Sequence, residues 1–290
     1  MSHRLDGKVA IVTGAGRGIG AAIAQAYATE GARLAIASRT SAELESVAAE
    51  CRAAGAECLA VVTDVSSGSA VRKFVGAALE QFGRIDILAN VAGVYGPIGP
   101  IEDVDLEAWE QALHVNLLGT LYASQAVLPT MRAQGAGRII AMSGGGATSP
   151  LPRFSAYGVS KAAVVRLVET LAEEVKDQGI TVNAIAPGAV DTTLQDAVLQ
   201  AGDRAGDLFG RIKALRESGA GGTPIEVPVQ LALFLASEDS RGMTGRLISA
   251  PHDGWQSWDA DRIQALDGTA WFTLRRIDPF TIRPLANGQP

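Results

Sequence analysis

The chain of 290 residues is 47% hydrophobic and carries a formal charge of −6, with a pI near 5.2. That is enough apolar material for a sizeable core, while the acidic balance disfavours a nucleic-acid or anionic-membrane partner, either of which needs a basic face. MSHRLDGK at the amino terminus has no apolar signal core and no apolar run is long enough to span a bilayer, so the expectation is a cytoplasmic protein acting on a small soluble molecule.

In chain order, apolar runs of strand length occur at KVAIVT (8–13), RLAIAS (33–38), ECLAVV (57–62), IDILAN (85–90), RIIAMS (138–143) and ITVNAIA (180–186). Helix-period segments separate them, among them AAIAQAYATEG, SAELESVAAECRAAG and EAWEQALHVNLLGTLYASQAVLPTMRAQG. Each strand is almost continuously apolar instead of alternating, so both of its faces must be covered, the condition for a parallel sheet between helical layers. The predicted fold class is therefore α/β, a doubly wound parallel sheet of the Rossmann type in three α/β/α layers. Ser41 and Ser67 read as helix N-caps.

Residues 1–254 read as one dinucleotide-binding catalytic domain, in which 191–224 have the composition of a mobile helical flap. The tail, 255–290, holds three of the four tryptophans and a period-two run, FTLRRI, that predicts an extra strand. Its aromatics call for burial on the domain or on another subunit, with a position over the substrate cleft as the sharper possibility. Cys51 and Cys58 match neither a redox CxxC nor a zinc pair, and His3, His114 and His252 lack metal-ligand spacing. The cysteines read as reduced, His114 as packed within a helix, and no metal is expected.

The first strand runs into TGAGRGIG, Thr13 to Gly20, and directly into a helix. Glycines suit a sharp turn that lets a pyrophosphate approach the backbone, where the amides and dipole of a helix start hold the anion. The spacing TGxxxGxG, with Gly14, Gly18 and Gly20 in the defining places, resembles that of the short-chain dehydrogenases/reductases in their compact single-domain form, over about residues 5–250. At the end of the second strand a carboxylate would bind both ribose hydroxyls of NAD and repel a 2′-phosphate. Ser38 and Arg39 stand there instead, with Arg17 on the same side, so NADP(H) is favoured over NAD(H).

Tyr157 and Lys161, spaced i and i+4, share one helix face. A free phenol has a pKa near 10; a neighbouring ammonium and the positive oxidised nicotinamide favour its phenolate, making it an acid/base for hydride chemistry between a ketone and a secondary alcohol. The resemblance implies further site residues. Asn90, Ala92 and Gly93 in LANVAG are similar to an NNAG segment supporting the adenosine side, although Val91 departs from it; Asp64, followed by Val65, resembles the adenine-contacting aspartate. Asn116 resembles a water-holding asparagine, Ile19 lies in the glycine loop, and PGAVDT is similar to PGxxxT, with Pro187, Gly188, Val190 and Thr192 on the nicotinamide side.

A family serine that polarises the carbonyl stands most often thirteen residues before the tyrosine, which here is Gly144. Either a one-residue bulge brings Ser143 into reach or the role passes to a backbone amide, Ser149 or Ser155; Ser143 is the favoured reading. The resemblance further implies a homodimer or homotetramer built on the helices at about 105–130 and 155–178. A sugar epimerase or dehydratase of related fold, and a dinucleotide-binding regulator without catalysis, are the competing functions.

Overall fold

Seven strands form the sheet: β1 (Val9–Thr13), β2 (Arg33–Ser38), β3 (Cys58–Val62), β4 (Ile87–Asn90), β5 (Gly137–Met142), β6 (Ile180–Ala186) and β7 (Leu247–Ser249). The computed structural model describes residues 3–218 and 222–276. All neighbours pair in parallel, in the order β3-β2-β1-β4-β5-β6-β7. Parallel neighbours need crossovers over the sheet faces, and the helices supply them: α1 (Gly18–Thr29), α2 (Ser41–Ala53), α3 (Gly68–Phe82), α4 (Leu106–Leu113), α5 (Gly119–Gln134) and α6 (Ser155–Val175), followed by α7 (Thr193–Ala201), α8 (Asp207–Glu217), α9 (Glu226–Ala236) and α10 (Ala260–Ala265).

Strand periodicity divides the core in two. Ala10 and Val12 pack with Tyr27 of α1, Leu44 of α2 and Leu233 of α9, whereas Val9 and Ile11 point to Phe74 of α3, Val127 of α5 and Val164 of α6. Both faces of β1 are thus fully apolar, the reason its sequence does not alternate. The connection order reverses between β1 and β4, so the crevice at their carboxyl ends is the switch point of the sheet.

Local signals account for some of the boundaries. Ser67 accepts from the Ala70 amide at 3.3 Å, and Gly83 ends α3 with φ of 74°. Ser41 is already helical; Thr40 occupies the cap position and its side chain makes no capping bond. The run after residue 105 is interrupted by a π-helical turn, His114–Leu118, closed by the Gly119 amide on the His114 carbonyl. His114 is exposed on that turn, contrary to the packed position expected of it. Cys51 and Cys58 are free thiols. Among the described residues no group of side chains could hold a metal, and no helix is long and apolar enough to cross a membrane.

The tail from Trp255 to Leu266 shares the α1 and α9 core through buried Trp255, Trp258, Ile263 and Leu266. FTLRRI does not form the expected strand: Phe272 and Thr273 lie in a bend, residues 274–276 are irregular, and Ile277 falls outside the described residues. The reason is Arg246. Its buried guanidinium takes the carbonyls of Thr269 at 2.9 Å and Trp271 at 2.7 Å, together with that of Leu266, and so curls the chain instead of leaving it extended. We expect Arg246→Met to destabilise the protein by about 3 kcal/mol, since it strands the Thr269 and Trp271 carbonyls, whereas that of Leu266 keeps the Thr269 amide and hydroxyl. Urea unfolding monitored by tryptophan fluorescence measures this.

Candidate active site

The glycine turn after β1 is set by close approach. A Cβ at Gly14 would lie 2.6 Å from the Ala92 nitrogen, and one at Gly20 would lie 2.2 Å from the Gly14 carbonyl. Gly18 has φ of 57°, a conformation side chains resist. Beside this turn runs a cleft of about 550 Å³, lined by Gly14, Arg17, Gly18, Ile19 and Gly20, by Ser38 and Arg39 at the end of β2, by Asp64 and Val65, and by Ala92 and Gly93. Backbone amides at the start of α1, with no Cβ over them, suit a pyrophosphate, and the residues present fit a dinucleotide.

At the β2 end, Ser38 Oγ donates to the Thr40 carbonyl at 3.3 Å. Arg17 pairs with Glu43 at 3.5 Å, both partly exposed, whereas Arg39 makes no ion pair among the described residues. Glu43 also lines the cleft and went unnoticed in the sequence, although it stands in the first turn of the helix that follows Arg39. Burial raises the Asp64 pKa, but hydrogen bonds from the Ser66 hydroxyl and amide, with the charge of Arg39, bring it below the usual carboxylate value.

Lys161 is 3% exposed and its Nζ donates to the Met142 carbonyl at 2.7 Å. Burial lowers its pKa to about 8. Nζ stands 5.7 Å from the centre of the Tyr157 ring. Burial, helped by Tyr95, pushes the Tyr157 phenol well above its ordinary value. The Tyr95 ring meets the Tyr157 ring edge-on at 4.7 Å. Tyr157 Oη has no hydrogen-bond partner among the described residues, and it borders both the dinucleotide cleft and a second cavity of about 570 Å³.

Asn116, in the π turn, spends its amide on the protein. Oδ1 accepts from the Val94 amide at 2.8 Å, while Nδ2 donates to the Val94 carbonyl and to Ser160 Oγ, each at 2.9 Å. Ser160 in turn donates to the Tyr157 carbonyl at 2.8 Å. The residue therefore ties the loop after β4 to α6, and its side chain has no donor left for a water.

Four residues singled out in the sequence do not face the space expected of them. Ser143 is buried, its Oγ donates to the Lys161 carbonyl at 3.4 Å, and it lines the dinucleotide cleft with Tyr157 and Lys161 but not the second cavity, which Gly144, Gly145 and Thr148 border. No bulge carries it there: its amide continues the β5–β6 ladder by donating to the Ile185 carbonyl at 2.8 Å. A Cβ at Gly144 would lie 2.2 Å from Tyr157 Oη, so the phenol occupies the room a side chain would need at that position. Ser155 is committed to the Trp109 indole at 3.0 Å, and Ser149 is exposed and off the wall. Asn90 is buried, with its amide directed to Ser124, and does not face the cleft. Gly188 and Val190 line the second cavity, whereas Pro187 and Thr192 border both. Thr148, the free hydroxyl beside the glycines, carries no sequence signal.

The model of the short chain dehydrogenase family matches residues 8–202. D-Threitol dehydrogenase of Mycolicibacterium smegmatis is 39% identical over 244 residues, which is 83% of this chain and 90% of that protein. Among solved structures, NAD+-bound xylitol dehydrogenase is similar with a TM-score of 0.79 and 31% identity, covering 85% of this chain and 98% of the other. Levodione reductase gives 0.78 and 30%, covering 88% and 99%.

Because the phenol fills the space at position 144, Gly144→Ala should drive the ring out of place. We expect turnover to fall at least tenfold, with dinucleotide binding, measured by fluorescence titration, changed by no more than about threefold.

Proposed function

The chain belongs to the short-chain dehydrogenase family and is an oxidoreductase interconverting an alcohol and a carbonyl with a nicotinamide dinucleotide; on that premise we propose that Tyr157 is its proton donor and acceptor and that NADP(H) is preferred. The supporting observation is the unpartnered phenol at the junction of the two cavities. The bound dinucleotide supplies or accepts the hydride.

In reduction, Tyr157 gives its proton to the carbonyl oxygen. The raised phenol pKa keeps that proton in place at neutral pH. Lys161 lowers the cost of the phenolate left behind and offers hydrogen bonds to ribose hydroxyls. Asn116 positions the β4 loop, and its main-chain oxygen takes the Thr120 hydroxyl at 2.8 Å. Thr148, free of partners among the described residues and on the cavity wall, takes the carbonyl-polarising role in place of Ser143.

Support for NADP(H) is the absence of a carboxylate at Ser38 and the unpaired fork of Arg39 at the same end of the cleft. Glu43 opposes it by holding Arg17. Self-association through α4, α5 and α6 would cover Leu106, Leu121 and Val159, apolar side chains exposed on those helices; a homodimer or homotetramer follows, in the cytoplasm.

Tyr157→Phe should lower kcat at least 10²-fold, and Ser143→Ala by less than about threefold, with Thr148→Val between them. Steady-state reduction of a carbonyl panel measures all three. Arg39→Ala should weaken NADPH binding at least tenfold and leave NADH binding within about twofold; Glu43→Gln should strengthen NADPH binding by freeing Arg17. Reductive kcat/KM should fall as pH rises through about 8, where Lys161 gives up its charge and the phenol becomes a weaker acid. A pH profile that stays flat in Lys161→Met identifies the lysine as the titrating group.

A further inference from the structure

Beyond Tyr157, the cavity of about 570 Å³ runs to the C-terminal segment, where Phe272 and Thr273 form part of its wall. Phe272 has φ of 60°, a left-handed conformation that aromatic residues rarely adopt and that persists only where the surroundings over-determine it. They do so here. The Phe272 carbonyl accepts from the Leu247 amide at 2.7 Å, the Trp271 carbonyl from Arg246 at 2.7 Å, and the Leu274 amide donates to buried Glu169. The ring rests against Trp258 at 5.1 Å.

Much of the polar material on this wall is used within the protein. Gln195 Nε2 donates to the Val190 carbonyl at 2.8 Å, Asp253 accepts from the Ser249 amide at 2.6 Å, and Thr273 Oγ1 donates to the Ala270 carbonyl. Tyr95, Leu151, Leu194, Leu208, Ile212 and Phe272 supply broad apolar surface. Against it, a hydroxyl of an open-chain polyol that meets only apolar surface would lose water without gaining a partner, a penalty of roughly tenfold in affinity.

We propose that Phe272 is a specificity-determining residue: the tail, pinned by Arg246 and Glu169, closes the substrate cavity of its own chain and selects cyclic or aryl ketones over open-chain polyols. This rests on the carbonyl–alcohol reading of the same site.

The test compares 2-tetralone, butan-2-one and, in oxidation, xylitol with wild type, Phe272→Ala and Phe272→Gly. Wild type should favour 2-tetralone over butan-2-one and xylitol by at least tenfold in kcat/KM, and both variants should raise the KM for 2-tetralone about tenfold, with butan-2-one and NADPH binding within about twofold. Phe272→Gly, which relieves the left-handed backbone, should melt no lower than Phe272→Ala while losing the same selectivity, a separation that a merely structural residue would not show. Substrate ratios unchanged in both variants, or xylitol handled as well as 2-tetralone, would overturn the proposal. Should wild type turn over none of these compounds, calorimetric binding of 2-tetralone to the NADP+ complex decides: tenfold weaker binding in the variants upholds the wall while the catalytic reading fails, and no binding, or equal binding, refutes the wall.

Discussion

Lys161 holds a positive charge inside the protein with no ion-pair partner among the described residues, and much of the site is arranged around it. Burial lowers its pKa to about 8, still above neutral, so the ammonium persists at pH 7, and it donates to the Met142 carbonyl at the end of β5. Gly93 leaves space beside it, since a Cβ there would stand 3.3 Å from both Nζ and Asn116 Oδ1. Asn116 then fixes the Gly93–Val94 loop against α6 through Ser160. The π turn is what carries Asn116 into this position from a helix that packs on the sheet, a use of irregular helix common at functional sites. The cation thus joins α6 to the end of β5, and beside it Asn116 joins the loop after β4 to α6 from the turn between α4 and α5.

The same arrangement explains why a missing side chain at Gly144 is compatible with a working site. Tyr157 is held by Tyr95 and by the packing of α6, and its hydroxyl advances into the volume that a residue with a Cβ would fill. The substitution by glycine and the placement of the phenol are one structural event. A serine restored at that position would meet the phenol before it met a substrate.

Those parts of the architecture dictated by backbone chemistry were legible in the sequence. β2 and β6 begin and end where their apolar runs do, and β4 starts two residues late, after Asp86, whose carboxylate turns back to accept from the Val9 amide. The glycine turn was legible because close approach of chain segments admits no other residue at Gly14 or Gly20. Side-chain direction was not. Asn90 sits where its motif places it and Ser143 one residue before the motif position, yet Asn90 faces α5 and Ser143 faces α6, a choice made by neighbours distant in sequence. Alternation in FTLRRI suggested a strand because nothing local announces that Arg246 will gather the carbonyls before it.

The division of labour between the two cavities follows from where each wall originates. The dinucleotide side is built from strand ends and the turns that leave them, positions tied to sheet register and hence costly to alter. The substrate side is built from α7, α8, the 150–154 turn and the tail, joined by contacts such as Arg204 on the Ile98 carbonyl and Arg216 on Asp191 and Asp196. These segments can change shape without disturbing a strand pair. Among the described residues six border both spaces, Tyr157 being one. The Tyr157 phenol is therefore placed at the junction by α6 and the strand ends it packs on, while what reaches it across the second cavity is left to segments that the sheet does not constrain.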